Sequence, residues 1–247
     1  MKNYNTTQLN PEQCFERHVF HRDQFAHYLR WTYVLKLAKI GMNILDVGCG
    51  SGSLYEVFYR NRYSPAEFFG IDIRKKTIEN NRIKFPRASW QAADIVNDPL
   101  PKTINGKDWD IIASFEVLEH IGKQNGEKFL ENIKSKMGPD TIFLLSTPCY
   151  NGTAAANHTY DSGDGRGVAV QEYSYDELKT LLEKHFTIEN KFGTFASVKD
   201  YKPYLSETGQ KMYDKLGEYY DSNLMSNIFA PLFPEKSRNV IWRLKLK

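Results

Sequence analysis

Three glycines alternate with small residues directly after a short apolar run, an arrangement typical of a loop that binds a nucleotide. The run Asn43–Val47 leads into Gly48-Cys49-Gly50-Ser51-Gly52. Glycine lets the backbone pass close to a flat or polar ligand, where a side chain would collide. The run indicates a buried strand that feeds a helix, and the first N–H groups of that helix are free to bind a ligand. A glycine-rich turn without a ligand is the alternative.

A second acidic residue follows where a ribose would need one. Asp72 lies near the end of the apolar segment Phe69–Ile73, 20 residues after Gly52. A carboxylate accepts two hydroxyl hydrogen bonds at once, so it suits a ribose in either NAD or S-adenosylmethionine. The dinucleotide pattern is G-x-G-x-x-G, and here the third glycine arrives one residue early. The diphosphate signature is therefore imperfect.

Two histidines could serve as a general base beside this ligand. His120 follows the apolar segment Trp109–Phe115, and His158 lies in the long polar stretch Tyr150–Gln171, which we expect to be a loop over the same rim. Histidine is the usual base near neutral pH. The alternatives are that His120 bonds the backbone at a helix start and that His158 is an ordinary exposed loop residue.

The elements that must position these residues alternate along the chain. Strands that alternate with helices predict a parallel sheet with helices on both faces. The predicted strands are Asn43–Val47, Glu67–Ile73, Ser89–Ala93, Trp109–Phe115, Thr141–Ser146, Phe186–Phe195 and Asn239–Leu246. The predicted helices are Ser53–Arg62, Lys75–Phe85, Gln124–Met137, Ser174–His185 and Tyr204–Asn223, with Glu177 completing a capping box at Ser174.

The residues before the first strand form one or two further predicted helices. Apolar residues recur at helical spacing from Glu12 to Ile40. A helix here is well placed to cover the pocket, where Arg30 could bind a ligand carboxylate. An ordinary surface charge is the alternative interpretation of Arg30.

Bulk composition favours an intracellular globular protein. The 247 residues are 41% hydrophobic with a net charge of +3, which does not indicate a nucleic-acid binder. Three cysteines at no metal-ligand spacing favour a reducing compartment. The first residues are polar and lack the apolar core typical of a signal peptide, and no apolar run is long enough to span a membrane. We therefore expect a cytoplasmic protein without a membrane segment.

The glycine stretch resembles motif I of the class I S-adenosylmethionine-dependent methyltransferases. The resemblance extends over residues 43–195, and the pattern is most similar to the ubiquinone-biosynthesis O-methyltransferases and their relatives. The matching segments, besides Asp72, are Ala93-Asp94-Ile95, Ser114–Ile121, Leu144-Leu145-Ser146-Thr147-Pro148 and Glu172–Leu182. The resemblance implies S-adenosylmethionine as cofactor, bound by Asp46, Gly48, Cys49, Gly50, Gly52, Asp72, Ile73, Asp94, Ile95 and Phe115. Arg30 joins these candidate cofactor-binding residues because its predicted helix could cover the pocket.

The family fold is a Rossmann-like α/β sheet of seven strands, mostly parallel, whose last strand is antiparallel. We therefore expect residues 1–247 to form a single methyltransferase domain. Residues 1–40 would be an N-terminal helical lid. Residues 201–236 would be a helical insertion before the last strand, which covers the sheet's carboxyl edge or contacts a partner.

The acceptor is the least constrained part of the function. We expect a small molecule methylated at oxygen rather than nitrogen, by a monomer or homodimer, with nucleic acid not excluded as a partner. The Asn/Asp-Pro-Pro-Tyr/Phe run typical of base N-methylation is missing after the fourth strand, and Pro148-Cys149 follows the fifth strand instead of the fourth. A protein that binds the cofactor without turnover is a further alternative.

A metal-assisted reaction is a second alternative. Glu116, Glu119 and His120 are spaced i, i+3 and i+4, so they could share one face of a helical turn, and with His158 they could hold a divalent cation. The set resembles the metal site of small-RNA 3′-terminal 2′-O-methyltransferases. That family has a histidine before the segment matching Glu172, where this chain has Ala169 and Val170. We therefore predict no metal site.

Overall fold

The computed structural model describes residues 23–150, 157–161 and 167–247. The expected helix before residue 23 lies outside these residues. The strands are β1 Asn43–Val47, β2 Glu67–Asp72, β3 Ser89–Ala92, β4 Trp109–Phe115, β5 Met137–Tyr150, β6 Asn157–Asp161, β7 Gly167–Gln171, β8 Tyr173–Ser174, β9 Phe186–Ala196 and β10 Ser237–Leu246. The α-helices are α1 Asp23–Leu37, α2 Ser53–Arg60, α3 Lys75–Lys84, α4 Gly126–Lys134, α5 Tyr175–His185, α6 Val198–Tyr201, α7 Glu207–Gly217 and α8 Ser222–Ile228.

The central sheet has the strand order β3–β2–β1–β4–β5–β10–β9. β1 to β5 pair in parallel, whereas β10 runs antiparallel between β5 and β9. The short strand β8 pairs with the end of β5, outside this order. The expected seven-stranded, mostly parallel sheet with an antiparallel last strand is therefore confirmed. Its parallel strands bring the ends of β1, β2, β4 and β5 to one edge, where sheets of this kind bind ligands.

Helices cover both faces of the sheet. Successive residues of a strand point to opposite faces, so each strand contributes to the core on both sides. In β1, Ile44 packs into one core cluster and Leu45 into the other. The first cluster includes residues of α1, α2 and α3, and the second includes residues of α4 and α5. Such two-sided burial explains why the strand segments are nearly continuously apolar.

The helix α1 packs on the sheet near β4 and β9. Val34 is fully buried, and the ring of Tyr33 meets Phe192 of β9 edge to face at 4.7 Å between centroids. α1 therefore lies over the sheet and close to the β4 and β9 strands. The lid role assigned to residues 1–40 stays a prediction.

The insertion before β10 has a small core of its own. Tyr201 is fully buried and stacks between Phe229 and Phe233, with both ring centroids 5.7 Å away. Its hydroxyl donates to the Met225 carbonyl at 3.0 Å. The expected single helix Tyr204–Asn223 is wrong, because α7 ends at Gly217 and α8 begins after Asp221, whose carboxylate caps the new helix.

Two further segments differ from the sequence expectations. The stretch Tyr150–Gln171 is not a plain loop, since β6 and β7 pair there as an antiparallel hairpin. β5 begins at Met137 rather than Thr141, because residues 137–140 continue the strand instead of ending a helix. The capping box at Ser174 and Glu177 is confirmed, with Glu177 N donating to Ser174 Oγ at 3.1 Å. Among the described helices, none combines the length and apolar character needed to cross a bilayer.

Candidate active site

The glycine loop turns directly from β1 into α2 under the end of β2. Gly48 and Cys49 both donate their N–H groups to the Ile71 carbonyl at 2.8 Å. All three glycines adopt positive φ, with 82° at Gly48, 51° at Gly50 and 80° at Gly52. A Cβ on Gly48 would also overlap the side chain of Val117. The loop therefore requires glycine both for its backbone conformation and for its packing.

A buried asparagine that the sequence analysis missed holds the outer side of this loop. Asn81 of α3 is 2% exposed and donates through Nδ2 to the Gly50 carbonyl at 2.8 Å. The helix after β2 is thus tied to the loop after β1. A polar residue on the otherwise apolar inner face of α3 was the available signal, but it does not reveal its partner.

Asp72 lies at the end of β2, against the glycine loop. Its Oδ2 accepts the Gly50 N–H at 3.0 Å, and its Oδ1 accepts the Arg74 backbone N–H at 2.9 Å. The Arg74 side chain adds two bonds, from Nε to Oδ1 at 3.0 Å and from Nη2 to Oδ2 at 3.3 Å. The carboxylate is therefore fixed at the position expected for binding a ribose.

Asp46 lies beneath the loop and is 4% exposed. Burial, reinforced by the neighbouring Asp72 carboxylate, raises the pKa of Asp46 to about 8. Burial also raises the pKa of the Cys49 thiol, so this cysteine is a thiol and not a nucleophile at neutral pH. Because a raised pKa favours the protonated form, the Asp46 carboxyl group adds little negative charge beneath the loop at neutral pH.

The residues expected at the adenine lie on neighbouring turns of the same edge. Ile73 is 68% exposed immediately after Asp72, while Ile95 is buried. Asp94 accepts hydrogen bonds from Asn97 Nδ2 at 2.7 Å and from the Val96 N–H at 2.9 Å, which lower its pKa. Asp94 thus shapes the turn after β3, and Ile73 presents apolar surface beside it.

The buried Arg30 and the half-buried Glu116 form an ion pair that links α1 to the residue after β4. Arg30 is 1% exposed, and its Nη1 lies 3.4 Å from Glu116 Oε1. The same carboxylate accepts Ser146 Oγ at 3.0 Å and Asn239 Nδ2 at 2.8 Å. Arg30 is thus not a surface charge. Its role towards a cofactor carboxylate stays a prediction.

Glu116 has an uncommon backbone conformation for a residue with a side chain. Its φ is +58°, and its N–H donates to the Ser146 carbonyl at 2.9 Å. Non-glycine residues adopt this region rarely, and they do so where the surrounding structure holds them. The hydrogen bonds from Ser146 and Asn239 supply that support. Sequence patterns could not reveal this network, because its members are far apart in the chain.

His120 lies on a short 3₁₀ helix, Leu118–His120, just after β4. Its backbone N–H donates to the carbonyl of Val117, the residue that packs on Gly48. Its Nε2 is 3.6 Å from Oε1 of Glu119, and 26% of its side chain is exposed. Burial, with Glu116 nearby, raises the pKa of Glu119, whose Oε2 accepts Thr147 Oγ1 at 2.8 Å.

The remaining predicted residues are placed less directly. Phe115, the last residue of β4, is half-buried among apolar neighbours. The backbone of His158 lies in β6 opposite Val170, and its side chain is outside the described residues. In residues 23–150 and 170–247, no group of three or more His, Cys, Asp or Glu side chains is arranged to hold a metal ion. The set with His158 thus stays a hypothesis.

The geometry brings together a glycine loop, a fixed carboxylate and an exposed apolar residue, which together suit an adenosine. Residues 18–189 match a family described as a methyltransferase domain. The chain belongs to this methyltransferase family. The Rossmann-like α/β fold and the family membership expected from the sequence are both confirmed.

Methyltransferases of several sources are similar to this chain. A probable S-adenosylmethionine-dependent methyltransferase of Mycolicibacterium smegmatis is 25% identical over 161 residues, 63% of this chain and 56% of that protein. A ubiquinone biosynthesis O-methyltransferase of Actinobacillus pleuropneumoniae is 27% identical over 128 residues, 48% of this chain and 52% of that protein. The chain thus spans about half the length of these two relatives.

A solved structure supports the same fold. The TehB-like S-adenosylmethionine-dependent methyltransferase of Corynebacterium glutamicum superposes with a TM-score of 0.56 at 18% identity. The superposition covers 92% of this chain and 98% of the other. At this identity the likeness shows the shared methyltransferase fold and nothing of the acceptor. The carboxyl edge that carries Asp72 and the glycine loop is the cofactor edge of such folds.

Proposed function

We propose that this protein transfers a methyl group from S-adenosylmethionine to an oxygen atom of a small-molecule acceptor, with His120 as the general base. The observation that supports this proposal most strongly is the position of His120. It lies on the turn that packs against the glycine loop through Val117, and its side chain is partly exposed. The similarity to a ubiquinone biosynthesis O-methyltransferase supports oxygen as the accepting atom.

The described residues fit the cofactor. At Gly50, φ is 51° and a Cβ would enter space where Arg74 Nη2, at 3.5 Å, is the one described atom within 4 Å, so the glycine leaves this space for a ligand. Asp72 would accept the ribose hydroxyls, and Ile73 and Ile95 would contact the adenine. When bound, S-adenosylmethionine supplies a methyl group on a positively charged sulfur that departs as a neutral thioether.

Because the departing sulfur is neutral, the protein need not stabilise a leaving anion. Its tasks are to orient the acceptor, to exclude water and to remove the acceptor's proton. His120 would take the hydroxyl proton on its ring, since an alcohol or phenol must lose that proton during transfer. The buried carboxyl of Glu119 would keep the ring turned toward the acceptor.

An assay with isotopically labelled S-adenosylmethionine and a panel of phenols, catechols, carboxylic acids and amines tests this proposal. His120→Gln should lower turnover about 100-fold, the typical contribution of a general base, while affinity for S-adenosylhomocysteine stays within about twofold. His185→Gln is the matched control. His185 lies just before the amino end of β9, on the edge of the sheet opposite to the site, where its Nδ1 is 2.8 Å from Glu131 Oε1.

Three outcomes would contradict the proposal. Equal loss of turnover and cofactor affinity in His120→Gln would make His120 structural. Methylation confined to amines would move the reaction to nitrogen. Activity on RNA that disappears with a chelator would favour the metal-assisted alternative.

A further inference from the structure

The Asp72 carboxylate already carries as many hydrogen bonds as it can accept. A carboxylate offers about four lone-pair positions. Two are filled by the backbone N–H groups of Gly50 and Arg74, and two by Nε and Nη2 of the Arg74 guanidinium. Asp72 is only 6% exposed, so little of it faces solvent past these donors. A ribose can reach both oxygens only if a donor leaves.

Only one pair of these donors can leave without disturbing the fold. The Gly50 N–H belongs to the loop that Asn81 fixes through the Gly50 carbonyl. The Arg74 N–H belongs to the turn that starts α3. The Arg74 side chain, in contrast, is 56% exposed, and its only contacts with Asp72 that the ribose must replace are those of its guanidinium. An exposed side chain can turn away into solvent without a change in the backbone, so the guanidinium is the donor that can move.

The guanidinium of Arg74 also lies close to the glycine loop. Its Nη2 is 3.5 Å from the position that a Cβ on Gly50 would occupy. It therefore fills the space above the loop that a nucleotide would enter. Its two N–H groups address the two carboxylate oxygens as the two hydroxyls of a ribose would.

From this geometry we propose that Arg74 competes with the ribose of the cofactor for Asp72 and so sets the affinity for S-adenosylmethionine and S-adenosylhomocysteine. The inference rests on the proposed function, because it requires a cofactor ribose at Asp72. The side chain leaves Asp72 when the cofactor binds and returns when it dissociates. Arg74 thereby lowers the affinity for substrate and product forms alike, since both carry the same ribose.

Calorimetric binding of S-adenosylhomocysteine and its 2′-deoxy analogue to the full chain tests this proposal. Arg74→Met should bind S-adenosylhomocysteine at least about twofold more tightly than wild type, because even a fully exposed ion pair corresponds to a factor of about this size and Asp72 is buried. The gain should be smaller for the 2′-deoxy analogue, which lacks one of the competing hydroxyls. Lys75→Met removes another exposed positive charge, from the next position, and should change neither affinity.

Other results would overturn the proposal in distinct ways. Weaker binding by Arg74→Met would make Arg74 a ligand of the cofactor, and unchanged binding would show that the guanidinium does not compete. An equal gain with both compounds would indicate a general charge effect. If wild type binds neither compound, the proposed function fails first, and this inference fails with it. The urea unfolding midpoint of each variant is compared with that of wild type. Equal midpoints show that a change in affinity is not caused by misfolding.

Discussion

Single glycines decide whether the loop after β1 can form. Gly41 and Gly48 have nearly the same backbone conformation, with φ of 87° and 82°. They differ in their surroundings, because a Cβ on Gly48 would overlap Val117, whereas one on Gly41 would meet no described atom within 4 Å. The pair therefore separates the cost of the conformation from the cost of the close approach.

We predict that Gly48→Ala destabilises the protein more than Gly41→Ala. The positive φ alone should cost about 1–2 kcal/mol at either position. At Gly48 the overlap with Val117 should add about 1–3 kcal/mol. Urea denaturation of both variants measures the difference. Equal losses of unfolding free energy would show that the loop can move away from Val117.

Asp46 gives the folded state a distinctive pH dependence. Its pKa rises from 3.8 to about 8 on folding, so between these values the native state retains a proton that the unfolded chain releases. Stability then falls as pH rises through that window and the contribution is fully lost above pH 8. The neutral variant Asp46→Asn lacks this titration.

We therefore expect the unfolding free energy of Asp46→Asn to gain on that of wild type as pH increases from 5 to 8. Denaturation curves at several pH values measure the difference between the two proteins at each pH. Asp140→Asn, at an exposed aspartate, is the control and should run parallel to wild type. Parallel curves for Asp46→Asn as well would contradict the assigned pKa.

Sequence patterns located the residues whose types are unusual, and missed those whose partners are distant. The glycines and Asp72 stand out because few other folds need them at that spacing. Asn81 and the contacts of Glu116 do not, because a hydrogen bond across 31 or 123 positions leaves no local pattern. Long-range side-chain partners are decided by packing.

At the scale of elements, apolar runs marked the buried strands well. β1 and β4 have the expected bounds, Asn43–Val47 and Trp109–Phe115. The hairpin of β6 and β7 was missed, because the segment Asn157–Asp161 is polar and lacks apolar alternation. The break between α7 and α8 did carry a signal, since Gly217 and the capping residue Asp221 are typical of a helix end and a helix start.

The insertion depends on the aromatic stack around Tyr201. We predict that Tyr201→Ala destabilises the protein by about 3–5 kcal/mol, the usual cost of truncating a buried aromatic. Tyr201→Phe should lose only about 1 kcal/mol, because it removes the hydrogen bond to Met225 and keeps the stack. Urea denaturation measures both changes.

Tyr204, in the same segment but 61% exposed, is the matched control. Tyr204→Ala should change the unfolding free energy by less than about 0.5 kcal/mol. Limited proteolysis should cut Tyr201→Ala first within residues 198–236. Cleavage elsewhere at the same rate would show that the stack does not hold the insertion in particular.

For the whole molecule, the order of motifs predicted both the sheet and the cofactor. The acceptor was not predictable, because no motif of this chain marks the groups that would bind it, and binding residues generally lie on loops that vary more than the elements they connect. A fold positions the chemistry at one edge of the sheet, and the surrounding loops select the substrate.

The central claim is that Asp72 and the glycine loop bind the cofactor, and calorimetry with S-adenosylhomocysteine tests it most directly. Asp72→Ala should bind at least about tenfold more weakly than wild type, since it removes a charged partner of hydroxyl groups. Glu79→Ala, which removes an exposed carboxylate from α3, should bind as wild type does. Absence of binding to wild type, or equal affinities for wild type and Asp72→Ala, would contradict the account.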